Sequence, residues 1–284
     1  MRFSPDGRLL AGCIWDQLHL WEAESGECRQ VLRWDENEPD ALFSVDFSPN
    51  GAILAAGSLD HTVHLWDVAA GRPLKALAGH GELVRCVSFS PDGQTLASGS
   101  DDFTVRLWDA SSGACLRTLE AHSDYVHSVR FSPDGRWLLT ASLDGMIRLW
   151  NAVTWECQRT FEGRMPELEG AEFSPDGRFL AAGSAGEPLH VWNVSTGECL
   201  WSSGADQNEN AAFCVCFSPD GKWLAADFGD ETLKHVVHIW DAFTGECLKT
   251  INCRLGSVYG VSFSPDGRQL AVGADYGLAL WRMK

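Results

Sequence analysis

The stretch VRCVSFSPDGQTLASGSDDFTVRLWDASSGACLRTL, residues Val84–Leu119, decides the fold. Val87 and Phe89 alternate with Ser88, the period of a β-strand. In Ser90-Pro91-Asp92-Gly93 the proline presets the first central position of a tight turn, and the glycine accepts positive φ at its end. The motif therefore reads as a hairpin corner. TLASGS (95–100) is a second strand, TVRLW (104–108) a third after an Asp-containing turn, and ACLRTL (114–119) a fourth after DASSG. On the third strand Val105 and Leu107 point to one face, while Thr104, Arg106 and Trp108 point to the other. Bulk on both faces demands cover on both, because a half-solvated sheet would not place a tryptophan on its wet side.

The unit recurs along the whole chain. FSPDG stands at 3–7, 89–93, 131–135, 173–177, 217–221 and 263–267, with FSPNG at 47–51. A second series keeps time with it: Trp21, Trp66, Trp108, Trp150, Trp192, Trp240 and Trp281. A spacing this regular marks a repeat architecture. Small sheets covered on both faces by copies of themselves pack radially. The expected fold is all-β, a seven-bladed β-propeller of four-stranded antiparallel blades. One domain over 1–284 is expected, in units of about 1–34, 35–78, 79–120, 121–162, 163–204, 205–252 and 253–284.

The segment GHGELVRCVSFSPDGQTLASGSDDFTVRLWDASSGACLRTL (79–119) resembles a WD-repeat (Trp-Asp repeat) unit, with Gly79-His80 and Trp108-Asp109 at the defining positions. The resemblance covers essentially all 284 residues, and the repeated SPDGR and TGECL are similar to bacterial repeats. It implies a propeller that holds other proteins rather than catalysing, often as the sensor portion of a longer chain behind a signalling ATPase or kinase. It also implies a hydrogen-bonded set in each blade, carried in full by His80, Ser98, Asp102 and Trp108 and by His122, Thr140, Asp144 and Trp150. The second unit departs from it, with Asp60 and Trp66 but Ala56 at the hydroxyl position; the fifth has Gly186 at the Asp position, and the seventh keeps Asp275. The central blades are expected to be the stiffest.

The first unit begins inside its first strand and the last ends just after its third. Twenty-seven strands are expected where a closed ring of seven blades wants 28, so the last blade should lack its outer strand. In the family, N-terminal residues usually supply that strand, which makes a fragment of a longer protein the expected reading. An open edge would invite pairing with another chain.

Composition narrows the function. The net charge of −17 makes nucleic acid and anionic membrane surfaces poor partners. Much of the charge is turn chemistry, since Asp6, Asp92, Asp134, Asp176, Asp220 and Asp266 all sit in SPDG copies. No apolar run is long enough to span a bilayer, and the N-terminus does not read as a signal peptide. Among the ten cysteines, Cys28, Cys115, Cys157, Cys199 and Cys247 occupy one repeat position, seven residues after a repeat tryptophan. Equivalent positions do not face one another, so buried free thiols in a reducing, cytoplasmic compartment are expected rather than disulfides. His19, His64, His190 and His238 fall one to a blade and cannot converge on a single metal ion; no cofactor and no metal are expected. The sequence holds no G-x-S-x-G, H-E-x-x-H or phosphate-binding loop. A non-catalytic interaction scaffold or recognition domain is the expected function, with a propeller enzyme using the central channel as the alternative.

The docking face the resemblance implies carries the loops into each first strand and the turns between strands two and three. Register places Phe43, Leu59, Leu83, Arg85, Asp101, Tyr125, His127, Leu143, Phe213 and Tyr259 there, an apolar rim suited to a protein or peptide ligand. Two longer loops, WDENEPDAL (34–42) and DFGDETLKH (227–235), fall on the same end, where specificity usually resides.

Overall fold

A computed structural model describes residues 1–34, 41–162, 168–184, 187–203, 214–229, 235–253, 256–275 and 277–283. The architecture is a seven-bladed, all-β propeller: seven antiparallel sheets follow one another along the chain, six of four strands and the last of three among the described residues. The third sheet, Val84–Phe89, Thr95–Ser100, Val105–Asp109 and Cys115–Leu119, matches the strands expected of it almost residue for residue. The last sheet is Val258–Phe263, Gln269–Ala274 and Gly277–Arg282. The chain forms two compact units, 1–140 and 141–284.

The repeated corner behaves as its residues dictate. In every copy the glycine holds φ of +69° to +71°. The serine hydroxyl donates to the aspartate (Ser90 Oγ to Asp92 Oδ1, 2.6 Å), and that carboxylate accepts the N–H two residues on (Gln94 N, 3.0 Å). Within the first unit each corner glycine also abuts the preceding corner's proline: a Cβ on Gly93 would stand 3.3 Å from Pro49.

Packing inside the first unit joins one sheet to the next. Ala11, Leu18, Leu20 and Leu32 of the first sheet form one core with Leu42, Val45, Phe47 and Leu54 of the second. Val63, Leu65 and Leu77 of the second sheet pack against Val84, Val87, Phe89 and Trp108 of the third. Neighbouring first strands are also tied by polar bonds: the Val87 N–H donates to Ser44 Oγ (2.9 Å) and the Phe89 N–H to Asp46 Oδ2 (2.8 Å). In the second unit the fifth and sixth sheets share a core around Leu224, Phe228 and Trp240, and the sixth and seventh share one around Ile239, Val261 and Leu270. Arg159 clamps the same way there, donating to the Thr196 carbonyl (2.6 Å) and the Ser195 carbonyl (2.9 Å) in the next sheet's outer turn.

Polar groups stranded by this packing find partners in the third sheet. His80 Nε2 lies 2.8 Å from Ser98 Oγ, His80 Nδ1 lies 2.8 Å from Asp102 Oδ2, and Trp108 Nε1 donates to Ser98 Oγ at 2.8 Å. Burial pushes the Asp102 carboxyl up, but hydrogen bonds from His80, the Gly81 N–H and Thr104 outweigh it and hold the group well below the usual carboxylate range. Of the second set, His122 Nε2 lies 2.7 Å from Thr140 Oγ1, and Trp150 is buried.

The second sheet solves the same problem differently. Ala56 supplies no hydroxyl, and Trp34 sets its edge against His64 (4.1 Å between centroids) and Trp66 (5.7 Å). His64 Nε2 turns to Asp60 Oδ2 at 2.6 Å. Trp66 Nε1 and His64 Nδ1 are left buried without a hydrogen-bond partner.

The cysteine expectation needs correction. All ten are free, but the five at the repeat position are exposed; Cys86, Cys216 and Cys253 are buried. The reason is the fourth strand. A bulge opposite Trp21, Trp108, Trp150, Trp192 and Trp240, as between Leu107 and Trp108, puts the cysteine at the start of the fourth strand, which in the third sheet buries only its far end.

Candidate functional site

Three backbone features of the first unit build its candidate docking face. The turns between second and third strands hold a non-glycine residue in the left-handed region: Trp15 at φ +56°, His61 at +70° and Phe103 at +70°. The equivalent place in the fourth sheet is Gly145, also at positive φ. Keeping a side chain in that conformation costs about 1 kcal/mol, and such strain concentrates at working sites. It turns Trp15 out until 82% of it is exposed.

Each turn is laced to the segment entering a neighbouring first strand. The Leu42 N–H donates to the Trp15 carbonyl (2.8 Å), the Leu59 N–H to the Ala41 carbonyl (2.9 Å), and the Asp101 N–H to the Leu83 carbonyl (3.0 Å). Phe43 thus follows directly on the Trp15 turn. Arg85 stands between two aromatics, its guanidinium 5.7 Å from the Phe43 ring centroid and 5.4 Å from that of Tyr125. Asp101 fixes it there, accepting from Nη2 at 2.7 Å and from Nε. Tyr125 in turn lies 5.9 Å from Phe103. The result is a crescent of exposed apolar side chains across four sheets: Ile14, Trp15, Phe43, Leu59, Phe103 and Tyr125.

The crescent is stiff and its centre is not a free charge. Arg85 is held by a bidentate partner and two aromatic faces, the pre-organised arrangement that lowers the entropy cost of binding. His127 is drawn down to about 4 by burial and then by the Arg85 charge, so it is neutral at physiological pH.

The residues expected on this rim fall into three groups. Phe43, Leu59 and Tyr125 are exposed in the crescent, and Tyr259 is exposed in the second unit, where its hydroxyl donates to Asp275 Oδ1 (2.8 Å). Leu83, Arg85, His127 and Leu143 are half-buried, and Asp101 is buried against Arg85. Phe213, Asp35, Glu36, Glu38, Asp40 and most of the 227–235 loop lie outside the described residues. Sequence reasoning missed Ile14, Trp15 and Phe103. A signal existed: Phe103 follows the turn aspartate directly, and Trp15 is a tryptophan out of step with the repeat series.

No group of three or more metal-ligating side chains gathers among the described residues. No helix among them is long and apolar enough to cross a membrane.

Comparison with known proteins follows the same lines. The family model described as IFT122 first beta-propeller matches residues 41–235, and the model described as WD domain, G-beta repeat matches 245–282. Over 75 residues the chain is 36% identical to "Eukaryotic translation initiation factor 3 subunit I" of Pyricularia oryzae, covering 26% of this chain and 21% of that protein. Over 55 residues it is 47% identical to "Probable serine/threonine-protein kinase PkwA" of Thermomonospora curvata, covering 17% of this chain and 7% of that one. The matched stretch is therefore about a fifth or less of these relatives' own length. In fold, the chain superposes with a TM-score of 0.88 on a chain of the solved structure described as "Crystal Structure of Mitotic Checkpoint Complex", at 24% identity over 99% of this chain and 86% of the other. The initiation-factor matches come from eukaryotes, so the assignment of the repeats to a bacterial type is not supported.

Proposed function

Because this chain belongs to the IFT122 first beta-propeller family and carries a WD domain, G-beta repeat, we propose that it is a non-catalytic scaffold that holds a protein or peptide on the apolar crescent of its first unit. The observation that carries the reading is Trp15, a large aromatic held exposed by a strained backbone beside Phe43. Clustered exposed aromatics around a fixed arginine are the usual composition of binding hot spots. Described acids around the crescent, among them Asp16, Glu82 and Asp124, favour a ligand with apolar anchors and a basic flank.

Two further elements belong to this reading. The Gly277–Arg282 strand, at the edge of a three-stranded sheet, is a second place where an extended segment of another chain could add. The match to a kinase over a small part of its length supports a role as the recognition portion of a longer signalling protein. Ten free cysteines favour a reducing compartment such as the cytoplasm.

The test is capture of partners by the wild-type protein and by a Trp15→Ala, Phe43→Ala, Tyr125→Ala variant, with Tyr259→Ala alongside. The triple variant is expected to melt at an unchanged temperature and to lose the partners that the wild type retains. Undiminished capture by the triple variant overturns the docking face.

A further inference from the structure

The exposed crescent has spare donors, while its nearby backbone acceptors are engaged. Among the described residues no hydrogen bond engages the Trp15 indole N–H or the Tyr125 hydroxyl, and both side chains are exposed. The backbone carbonyls beside them each already accept an N–H: Trp15 from Leu42 (2.8 Å), Ala41 from Leu59 (2.9 Å), Leu83 from Asp101 (3.0 Å) and Phe103 from His122 (3.3 Å). Arg85, the cation at the centre, is committed to Asp101. An ordinary peptide laid here would bring an N–H for every carbonyl and find few acceptors for them. A proline-rich segment brings carbonyls without N–H groups.

Spacing points the same way. The Phe43 and Tyr125 ring centroids lie 5.7 and 5.4 Å from the one Arg85 guanidinium carbon, so they stand no more than 11.1 Å apart. A polyproline II helix repeats every three residues, about 9.3 Å, which brings prolyl rings i and i+3 within reach of both. An amphipathic helix wants a continuous apolar groove instead, and Arg85 interrupts this one. We propose that the crescent takes a proline-rich segment in the polyproline II conformation. Its carbonyls accept from Trp15 Nε1 and the Tyr125 hydroxyl, its prolyl rings lie on Phe43, Tyr125 and Phe103, and a basic flank lies beside Asp16, Glu82 and Asp124. This ligand class rests on the docking reading above and narrows it. A segment already stiff in that conformation gives up little entropy on a face already fixed by Asp101 and Arg85.

Fluorescence anisotropy with two dye-labelled peptides tests this on the full chain: decaproline flanked by lysines, and the same peptide with alanine for proline. The proline peptide is expected to bind saturably and about tenfold or more tighter than the alanine peptide. Trp15→Phe and Tyr125→Phe each remove a donor and keep a ring, and each is expected to weaken the proline peptide about threefold or more at an unchanged melting temperature. Equal binding of the two peptides overturns the proposal, since lysine charge alone would then explain it. Full-strength binding by both Phe variants overturns it as well. Failure of the proline peptide to bind, while the triple alanine variant still loses captured partners, overturns the ligand class and leaves the docking face standing. Failure to bind with undiminished capture overturns both.

Discussion

Trp108→Ala is expected to destabilise the protein by about 3–5 kcal/mol in chemical denaturation, among the largest losses any single truncation here will cause. Trp108 is 1% exposed, its indole fills the core shared by the second and third sheets, and its N–H satisfies Ser98. Truncation opens a cavity and takes the indole N–H donor from the buried Ser98 hydroxyl, which is left with His80 alone. Trp15→Ala is the matched control. It removes the same side chain from a position in water, so its stability is expected to stay within about 0.5 kcal/mol of wild type. Equal effects at the two positions would mean that the third sheet is not packed as described.

Gly57→Ala is the second large effect, expected at about 3 kcal/mol. Gly57 lies on the Ile53–Ser58 strand, and a Cβ there would collide with the Val84 carbonyl oxygen and crowd its carbonyl carbon at 3.1 Å. Val84 opens the first strand of the next sheet, so the collision is with backbone, which cannot rotate away as a side chain can. Gly81→Ala is the control: its Cβ would meet nothing closer than Asp102 Cβ at 3.8 Å. A harmless Gly57→Ala would show that the second and third sheets stand further apart than the structure has them.

Much of the fold was legible because repetition makes each position testable several times over. The corner serine, proline, aspartate and glycine recur with their spacing intact, so strand limits in the third sheet could be read from residues alone. The family resemblance also pointed to His80, Ser98, Asp102 and Trp108 as one set, and side-chain chemistry alone allows that set to bond. What could not be read was exposure on the fourth strand. A cysteine in an alternating strand looks buried, and only the bulge opposite the tryptophan, a backbone irregularity with no residue signature, turns Cys28 and Cys115 outward. The crescent was half visible for a similar reason. Register pointed to Phe43 and Tyr125, but Trp15 and Phe103 depend on positive φ in non-glycine residues, which no pattern of hydrophobicity announces. Nor could register reveal that Arg85 is already claimed by Asp101 and two aromatic rings.

Native-state thiol labelling resolved by peptide mass is the most direct test of the claim that each small sheet is covered on its faces and open at its outer strand. Cys86 stands on the first strand of the third sheet, sealed against the Val126 carbonyl (3.5 Å), and burial pushes its thiol up to about 12. Cys115 stands on the outer strand of the same sheet, in solvent. Cys115 is expected to react in the folded protein and Cys86 only once the chain unfolds. Labelling of Cys86 at the rate of Cys115 under native conditions would contradict it.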